Sequence, residues 1–476
     1  MATFGTVWRS RLTGWLSHAT ILATACVAVL LALLPLPWAA AFVLSLLAAL
    51  LVLVRPLAGL MLIVLSVPFG ALFSFSLGGA NIGVTEALVW LALGAWLMRM
   101  VARRRVRIAF GGVGVAIGFL LVTMLLSLSA ASSLGPAVKE IVKWIEVLLL
   151  LAFVANEARE HWLEPLVATI LLTGGMSAIQ GVQQFVTRSG PDAFLLFGRF
   201  MRAYGSFAQP NPYAGYLGLG VAIGLGVVAA GLDAPHMHRR RAWLLLGSGT
   251  VLLMLAAIVM SWSRGAWLGM AAALGIMAIA GVLQRRSRIL VVGLVLFVLC
   301  GVLHAMPGGV FDVILGRVAS PFPFASLRDV RGMEVTDANF SVLERMAHWQ
   351  AALAMWRGHP WLGIGIGNYA VRYSQYSLPG WDEALGHAHN YYLNVAAETG
   401  LVGMLVYFVV WVSAAIAAWR ACWHLPGYQG GLALGILGAL THLGVQNIFD
   451  NLFVHGIYLQ VAVLLGLLAY LRKGGH

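Results

Sequence analysis

The sequence predicts an all-α, polytopic membrane protein, and three observations carry that expectation. Of the 476 residues, 61% are hydrophobic and only 10% are charged, too little charge to cover the surface of a water-soluble chain of this length. Mean hydropathy is +0.89, and apolar runs of about twenty residues, enough for a helix to cross a hydrocarbon layer, recur from end to end. The runs are built from Leu, Val, Ala, Gly, Ile and Met without the alternation of a membrane β-barrel strand, so a transmembrane helical bundle is the expected architecture.

In chain order the spans are expected near 19–35, 37–54, 56–75, 84–100, 111–130, 137–155, 164–185, 213–232, 242–261, 265–283, 289–305, 391–418, 430–448 and 453–471. Pro35, Pro37 and Pro56 split the first three, which leaves about 12–14 spans. Arg9 and Arg11 precede the first run as in a signal peptide, but no small-residue cleavage site follows, and the run is read as a retained helix.

Basic clusters set the direction of the spans. Arg103, Arg104, Arg105 and Arg107, then Arg239, Arg240 and Arg241, then Arg285, Arg286 and Arg288, and finally Arg472 and Lys473 are separated by even numbers of spans. All therefore fall on one side, which the positive-inside rule makes the cytoplasm, together with both termini. The net charge of +13 thus reflects topology and not nucleic-acid binding. Two long polar segments fall on the opposite side, 186–212 and 306–390. The chain divides accordingly into N-terminal transmembrane helices (1–305), a large outer loop (306–390) and C-terminal transmembrane helices (391–476). An 85-residue stretch without structure of its own would be unusual, so short helices capping the bundle are expected there. The loop carries Arg317, Arg328, Arg331, Arg345, Arg357 and Arg372 where basic residues are normally depleted. Any one of them is explained by a long loop escaping the charge bias, whereas the set points to a polyanionic ligand.

Cys26, Cys300 and Cys422 lie in or beside apolar runs, at spacings that match no metal or redox motif, and are read as lipid-facing or packing residues. There is no nucleotide signature and no internal repeat, which argues against a transporter with its own ATPase.

The densest polar stretch, Gly386-His387-Ala388-His389-Asn390-Tyr391-Tyr392-Leu393-Asn394, lies where the large loop re-enters the membrane. An imidazole there meets both lipid-embedded and aqueous partners, and its ordinary pKa of about 6.5 suits a general base. The alternative is a histidine pair capping a helix with Asn390. Zinc is disfavoured, because residues two apart point to different faces of a helix and no third strong ligand has a recognisable spacing.

Arg264 sits in the break Ser261-Trp262-Ser263-Arg264-Gly265 between two spans, on the non-cytoplasmic side. An arginine at membrane depth is costly unless paired or bound to an anion, with snorkelling to lipid head groups as the rival explanation. Arg345 precedes His359-Pro360 and the glycines Gly363, Gly365 and Gly367, with a salt bridge to Glu344 or another loop acid as its ordinary alternative. Arg202 leads into Gln209-Pro210-Asn211-Pro212, whose prolines hold Asn211 rigidly near the interface. Asp450 falls at the outer end of a late span, to orient His389 or an arginine, or merely to cap a helix. Lys139, Glu140 and Lys143 open another span as interface anchors or lipid-phosphate contacts.

These motifs together resemble the O-antigen ligase and polymerase superfamily of lipopolysaccharide biosynthesis. The family's histidine motif, His then Asn, Ser or Gln, nine residues and Gly-x-x-Gly, is matched by His389, Asn390, Gly400 and Gly403. Its Ser-Arg-Gly hairpin is matched by Ser263, Arg264 and Gly265, and its arginine ahead of Trp and His-Pro-x-x-Gly-x-Gly by Arg345, Trp349, His359, Pro360, Gly363 and Gly365. Phe207, Pro210 and Asn211 match the Phe-x-Asn-Pro-Asn motif, but Gln209 replaces its first Asn. The likeness covers roughly 130–455.

The resemblance implies a bundle of the C-type glycosyltransferase fold in a bacterial inner membrane, with its active site facing the periplasm. It implies transfer of glycan from undecaprenyl diphosphate to lipid A-core oligosaccharide, with inversion, no cofactor and no metal. His389 would be the base, Arg264 and Arg345 would hold the diphosphate, and Arg202 with other loop arginines would bind the phosphorylated acceptor core. Asn211, His387, Asn390, Tyr391, Asp450 and Lys139 complete the expected substrate-binding set, with membrane lipids and no nucleic acid as further partners. Three alternatives stay open: an O-antigen polymerase, a protein O-oligosaccharyltransferase, and a non-catalytic transporter of lipid-linked sugars. The arginine-rich outer loop favours the ligase among them.

Overall fold

The computed structural model describes residues 35–284 and 329–473, apart from 73, 78–79, 105, 107, 197, 234–238 and 337–338. Outside the described residues lie the expected span 289–305 and nearly all of 19–35, together with Arg9, Arg11, Cys26, Cys300, Arg105, Arg107, Arg285, Arg286, Arg288, Arg317 and Arg328.

The described chain is helical throughout its apolar runs. In order the helices are α1 Leu36–Val54, α2 Pro56–Ser66, α3 Val84–Ala102, α4 Gly111–Ser127, α5 Leu134–Glu157, α6 Glu160–Thr187, α7 Pro210–Asp233, α8 Arg240–Met260 and α9 Arg264–Leu283. The outer segment adds α10 Phe340–Gly358 and the single turn α11 Tyr369–Arg372, and the C-terminal part contains α12 Tyr391–His424, α13 Gly427–Gln446 and α14 Ile457–Lys473. Pro56 opens α2 at a position where its missing N–H has no helical partner to lose.

The span expected at 56–75 ends early. After α2 and a 3-10 stretch at Val67–Leu72, the chain forms an antiparallel ribbon of β1 Ser74–Leu77 with β2 Ala80–Gly83. A second, two-residue ribbon pairs β3 Leu195–Leu196 with β4 Phe200–Met201.

Seven of the described helices, α3, α4, α6, α7, α8, α9 and α12, are long and apolar enough to cross a membrane. They differ in what surrounds them. The apolar stretch of α7 is 94% buried, against 33–56% for the other six, so α7 runs through the centre while the others turn a face outward. It packs on α8 and α13. The approach to α13 is close enough that a Cβ at Gly226 would fall 2.2 Å from the Gly431 carbonyl oxygen, the kind of contact that only small residues allow between membrane helices. Elsewhere α5 packs on α14, where the Tyr458 hydroxyl donates to the buried Glu146 carboxyl at 3.0 Å. Cys422 is buried in the bundle core and makes no disulfide.

The longest helix, α12, is interrupted. Gly400 has φ +67° and ψ −166°, so the ladder breaks there, and the backbone groups it releases are taken up by residues 360–365. The Ile364 and Gly365 amides donate to the carbonyls of Ala397 and Glu398 at 2.9 and 3.0 Å, and the Leu401 amide donates to the Pro360 carbonyl at 2.8 Å. The same stretch clamps the start of α5: the Ser133 amide donates to Asn368 Oδ1 at 2.8 Å, and Asn368 Nδ2 donates to the Ser133 carbonyl at 3.0 Å. The outer segment is thus stitched to α12 by main-chain bonds and to the start of α5 by the Asn368 side chain.

A Cβ at Gly400 would lie 2.2 Å from the Trp361 carbonyl carbon, on a backbone conformation L residues avoid. Gly400→Ala is expected to destabilise the protein by roughly 2–4 kcal/mol. Gly275→Ala, on α9 with nothing within 4 Å of the added methyl, serves as the neutral control. Thermal unfolding of the two purified variants in detergent measures the difference, and equal melting temperatures would refute the role given to the break.

Candidate functional site

The site is assembled where the C-terminal ends of α8 and α13 meet the loop between α6 and α7. At the tip of α8, Trp262 takes φ +56° and Ser263 caps α9, so that Arg264 is the first residue of that helix. The hairpin is pinned from both sides. Ser261 Oγ accepts from the Ser263 amide at 3.2 Å, its carbonyl accepts from Arg202 Nε at 2.8 Å, and the Ala203 amide donates to the Met260 carbonyl at 3.0 Å. Arg202 also donates from Nη2 to Asn211 Oδ1 at 2.9 Å, and Gln446 Nε2 donates to the Asn211 carbonyl at 2.9 Å. Arg202, Asn211, Arg264, Arg345, Gln446 and Asp450 line one cavity.

The two arginines in that cavity that the motifs single out form no close ion pair among the described residues. Arg345 spends Nη1 on the Ser341 carbonyl at 2.8 Å, while its buried Nε has no hydrogen-bond partner. Among the described residues Arg264 makes no hydrogen bond and neither guanidinium has an ion pair within 4.0 Å, so the Glu344–Arg345 salt bridge is not formed. Two half-buried cations facing one space repel each other and lose hydration, a cost that an anion bound between them would reverse.

His389 lies beside this cavity and reaches it through Asp450. Its Nδ1 is 3.7 Å from Asp450 Oδ1, and His387 Nε2 is 3.9 Å from the same oxygen. The backbone at His389 is left-handed, φ +50°, and its carbonyl accepts from Trp349 Nε1 at 3.3 Å. Among the described residues neither ring nitrogen of His389 has a hydrogen-bond partner within 3.5 Å, the Asp450 carboxylate being its nearest recorded charged neighbour. The ring of His348 stands 5.6 Å from that of His389, itself stacked on Tyr373 at 4.6 Å with Nδ1 bonded to the Tyr369 hydroxyl at 3.0 Å.

Electrostatics sort these groups. Burial pushes His387 down to about 4, helped by the neighbouring His389 ring and opposed by Asp450. Burial likewise pushes His348 down to about 3. At Asp450 burial acts upward, but the His389 and His387 imidazoles and the Arg345 guanidinium outweigh it and hold the carboxyl well below the usual carboxylate range. Burial raises Glu344, against the pull of His389 and Arg345. A permanent carboxylate therefore faces a neutral His387 and the ring of His389.

The third metal donor that spacing alone did not reveal is Asp450, which with His387 and His389 forms a group whose ligand atoms lie within 4.8 Å of one another. The hydrogen bonding does not suit a metal. His387 Nδ1 accepts from the His389 amide at 3.1 Å, which places the proton of the neutral ring on Nε2, facing Asp450, where a metal would need a lone pair.

The remaining sequence candidates divide. Asn390 caps α12, its Oδ1 accepting from the Leu393 amide at 3.1 Å, so the capping duty falls to it and not to the histidines. Tyr391 is buried, stacked on Phe453 at 4.9 Å, with its amide bonded to the Asn447 carbonyl, and does not line the cavity. Lys139 is exposed on the first turns of α5 and outside the cavity lining, while Lys143 pairs with Glu140 at 2.6 Å. Sequence reasoning missed Gln446 as a cavity residue and Trp349 and His348 as neighbours of His389. The place of His348 and Trp349 one turn beyond Arg345 on α10 was the available signal for those two.

The depressed His387 sets a pH dependence. Between about pH 6.5 and about pH 4 the unfolded chain binds a proton that the folded chain does not, so stability is full above that window and falls as pH drops through it. His387→Gln is expected to remove part of this decline, on the order of 2 kcal/mol. Melting temperatures of both proteins across the window check it, and parallel curves would contradict the burial of a neutral imidazole.

Residues 249–408 match the family model described as O-antigen ligase, a range that contains Arg264, Arg345 and His389. No curated protein matches the chain.

Proposed function

We propose that the chain transfers O-antigen polysaccharide from undecaprenyl diphosphate to lipid A-core oligosaccharide at the periplasmic face of the inner membrane, a reading supported by the match of residues 249–408 to the O-antigen ligase family model. The observation that carries this reading is the pair Arg264 and Arg345, without ion-pair partners among the described residues, in one cavity with Asp450, which lies beside His389.

In this reading the bundle is of the C-type glycosyltransferase class, with both termini cytoplasmic and residues 306–390 as the periplasmic loop. His389 Nδ1 faces the Asp450 carboxylate, which favours the proton on that nitrogen and leaves Nε2 as the base. His389 Nε2 removes the proton of the acceptor hydroxyl. The hydroxyl oxygen bonds to the anomeric carbon from the face opposite the leaving group, the bond from that carbon to the phosphate oxygen breaks, and the electron pair departs on undecaprenyl diphosphate. Arg264 and Arg345 match the phosphate oxygens with planar forks of fixed charge, the service a divalent ion performs elsewhere. Arg202 is held by Ser261 and Asn211 at the rim, where it supports the hairpin and adds positive potential for a phosphorylated acceptor.

Purified protein with both lipid substrates is expected to form product without added metal and unchanged by a chelator. His389→Ala should lower kcat by about 10²–10⁴-fold, and Arg264→Ala or Arg345→Ala by about 10²–10³-fold. Arg264→Lys should keep the charge and lose the fork, recovering only part of the activity. Binding of the lipid donor without product formation would favour a transporter. In cells, loss of the protein should leave long polymer on the lipid carrier; single repeats on core lipid would identify a polymerase.

A further inference from the structure

At the far end of the helices that carry the arginine cavity lies a second, larger one. The C-terminal ends of α8 and α13 supply Met260 and Gln446 to the first site, and Gln184 near the end of α6 accepts from the Tyr204 amide at 3.1 Å in the adjoining loop. The N-terminal ends of the same three helices enclose a cavity of about 920 Å³ lined by Glu160, His161, Glu164, Arg239, Trp243 and Tyr428, among others. Helices of 20–28 residues put the two sites on the order of 30 Å apart, at opposite membrane faces.

The lining has a specific chemical polarity. Two carboxylates, Glu160 and Glu164, stand one helical turn apart on α6. Pro165, inside α6, has no N–H to give the carbonyl of His161, which leaves a third acceptor on the same turn. Trp243 and Tyr428 form an aromatic wall with ring centroids 5.5 Å apart. The Tyr428 hydroxyl is buried in this lining without a hydrogen-bond partner among the described residues. Arg239 supplies the guanidinium at the rim.

We propose that this cavity binds the head group of a phospholipid bearing a primary ammonium, a phosphoethanolamine lipid. Its three N–H donors meet the two carboxylates and the freed carbonyl, the aromatic faces stabilise the cation, and its phosphate meets Arg239 and the Tyr428 hydroxyl. A quaternary ammonium offers no N–H to these acceptors, and an anionic glycerol head group places no cation between the glutamates. The site is independent of the transfer chemistry proposed above.

The test is lipid retention by native mass spectrometry of the full chain, with melting temperature in nanodiscs, against phosphatidylethanolamine, phosphatidylcholine and phosphatidylglycerol of matched chains. Retention of the ethanolamine lipid is expected to exceed the other two by about tenfold. Glu164→Gln should abolish that preference while leaving the melting temperature in phosphatidylglycerol unchanged, and Arg239→Gln should weaken all three lipids. Soluble phosphoethanolamine should stabilise far less than the lipid. Equal retention of the three lipids, a preference that survives Glu164→Gln, or equal stabilisation by the soluble head group would each overturn the assignment.

Discussion

The structure around the site depends on an exchange of backbone hydrogen bonds at Gly400. A broken helix in a membrane protein leaves carbonyl and amide groups without partners, each costing several kcal/mol in hydrocarbon. Here residues 360–365 supply those partners, and Asn368 extends the same clamp to the start of α5. The consequence is positional. The outer segment is held on the bundle by bonds that cannot slide without losing all of them, and α10, which carries Arg345, His348 and Trp349, is brought against the His389 turn, as the Trp349 indole bond to the His389 carbonyl records. Glycine at 400 follows from a positive φ and from a carbonyl carbon where a methyl would stand.

The electrostatics of the cavity follow from how little acid it contains. Asp450 is the one carboxylate in its lining among the described residues, and its Oδ1 accepts from the Asn451 amide at 2.8 Å and lies 3.7 and 3.9 Å from the His389 and His387 rings. Arg264 and Arg345 are left facing open space. Two neighbouring guanidinium groups are well matched to a ligand with several phosphate oxygens, the pairing on which the proposed transfer reaction rests. His387 acts as a spacer in this scheme: its Nδ1 accepts from the His389 amide, and its Nε2 faces the Asp450 carboxylate at 3.9 Å.

Helices α6, α8 and α13 run between the two cavities, their C-terminal ends bordering the arginine cavity and their N-terminal ends lining the one that holds Glu160 and Glu164, and α13 packs closely on α7 where Gly431 meets Gly226. A lipid seated at Glu164 and Arg239 would brace α6 and α8 at the end opposite the arginine hairpin.

Much of the helix layout was legible in the chain. Spans such as 84–100, 242–261 and 265–283 fall within a few residues of α3, α8 and α9, because apolar length alone decides what can cross lipid. The Ser263-Arg264-Gly265 and His389-Asn390 motifs were legible as well, since a charged or titratable group at a membrane boundary stands out against an apolar background. Less was legible wherever a polar loop folds against something distant: the ribbon after α2, the break in α12, the place of Tyr391 in an aromatic stack and of Lys139 outside the cavity. By itself, then, the sequence determined that the chain is a helical membrane protein and which residues are chemically exceptional. The tertiary structure alone decided which of them meet: Asp450 beside two histidines some sixty residues away, and Arg345 opposite Arg264. The reason is that hydrophobic length is a local property, whereas the pairing of polar groups depends on loop closure and on backbone bonds made between segments far apart in the chain.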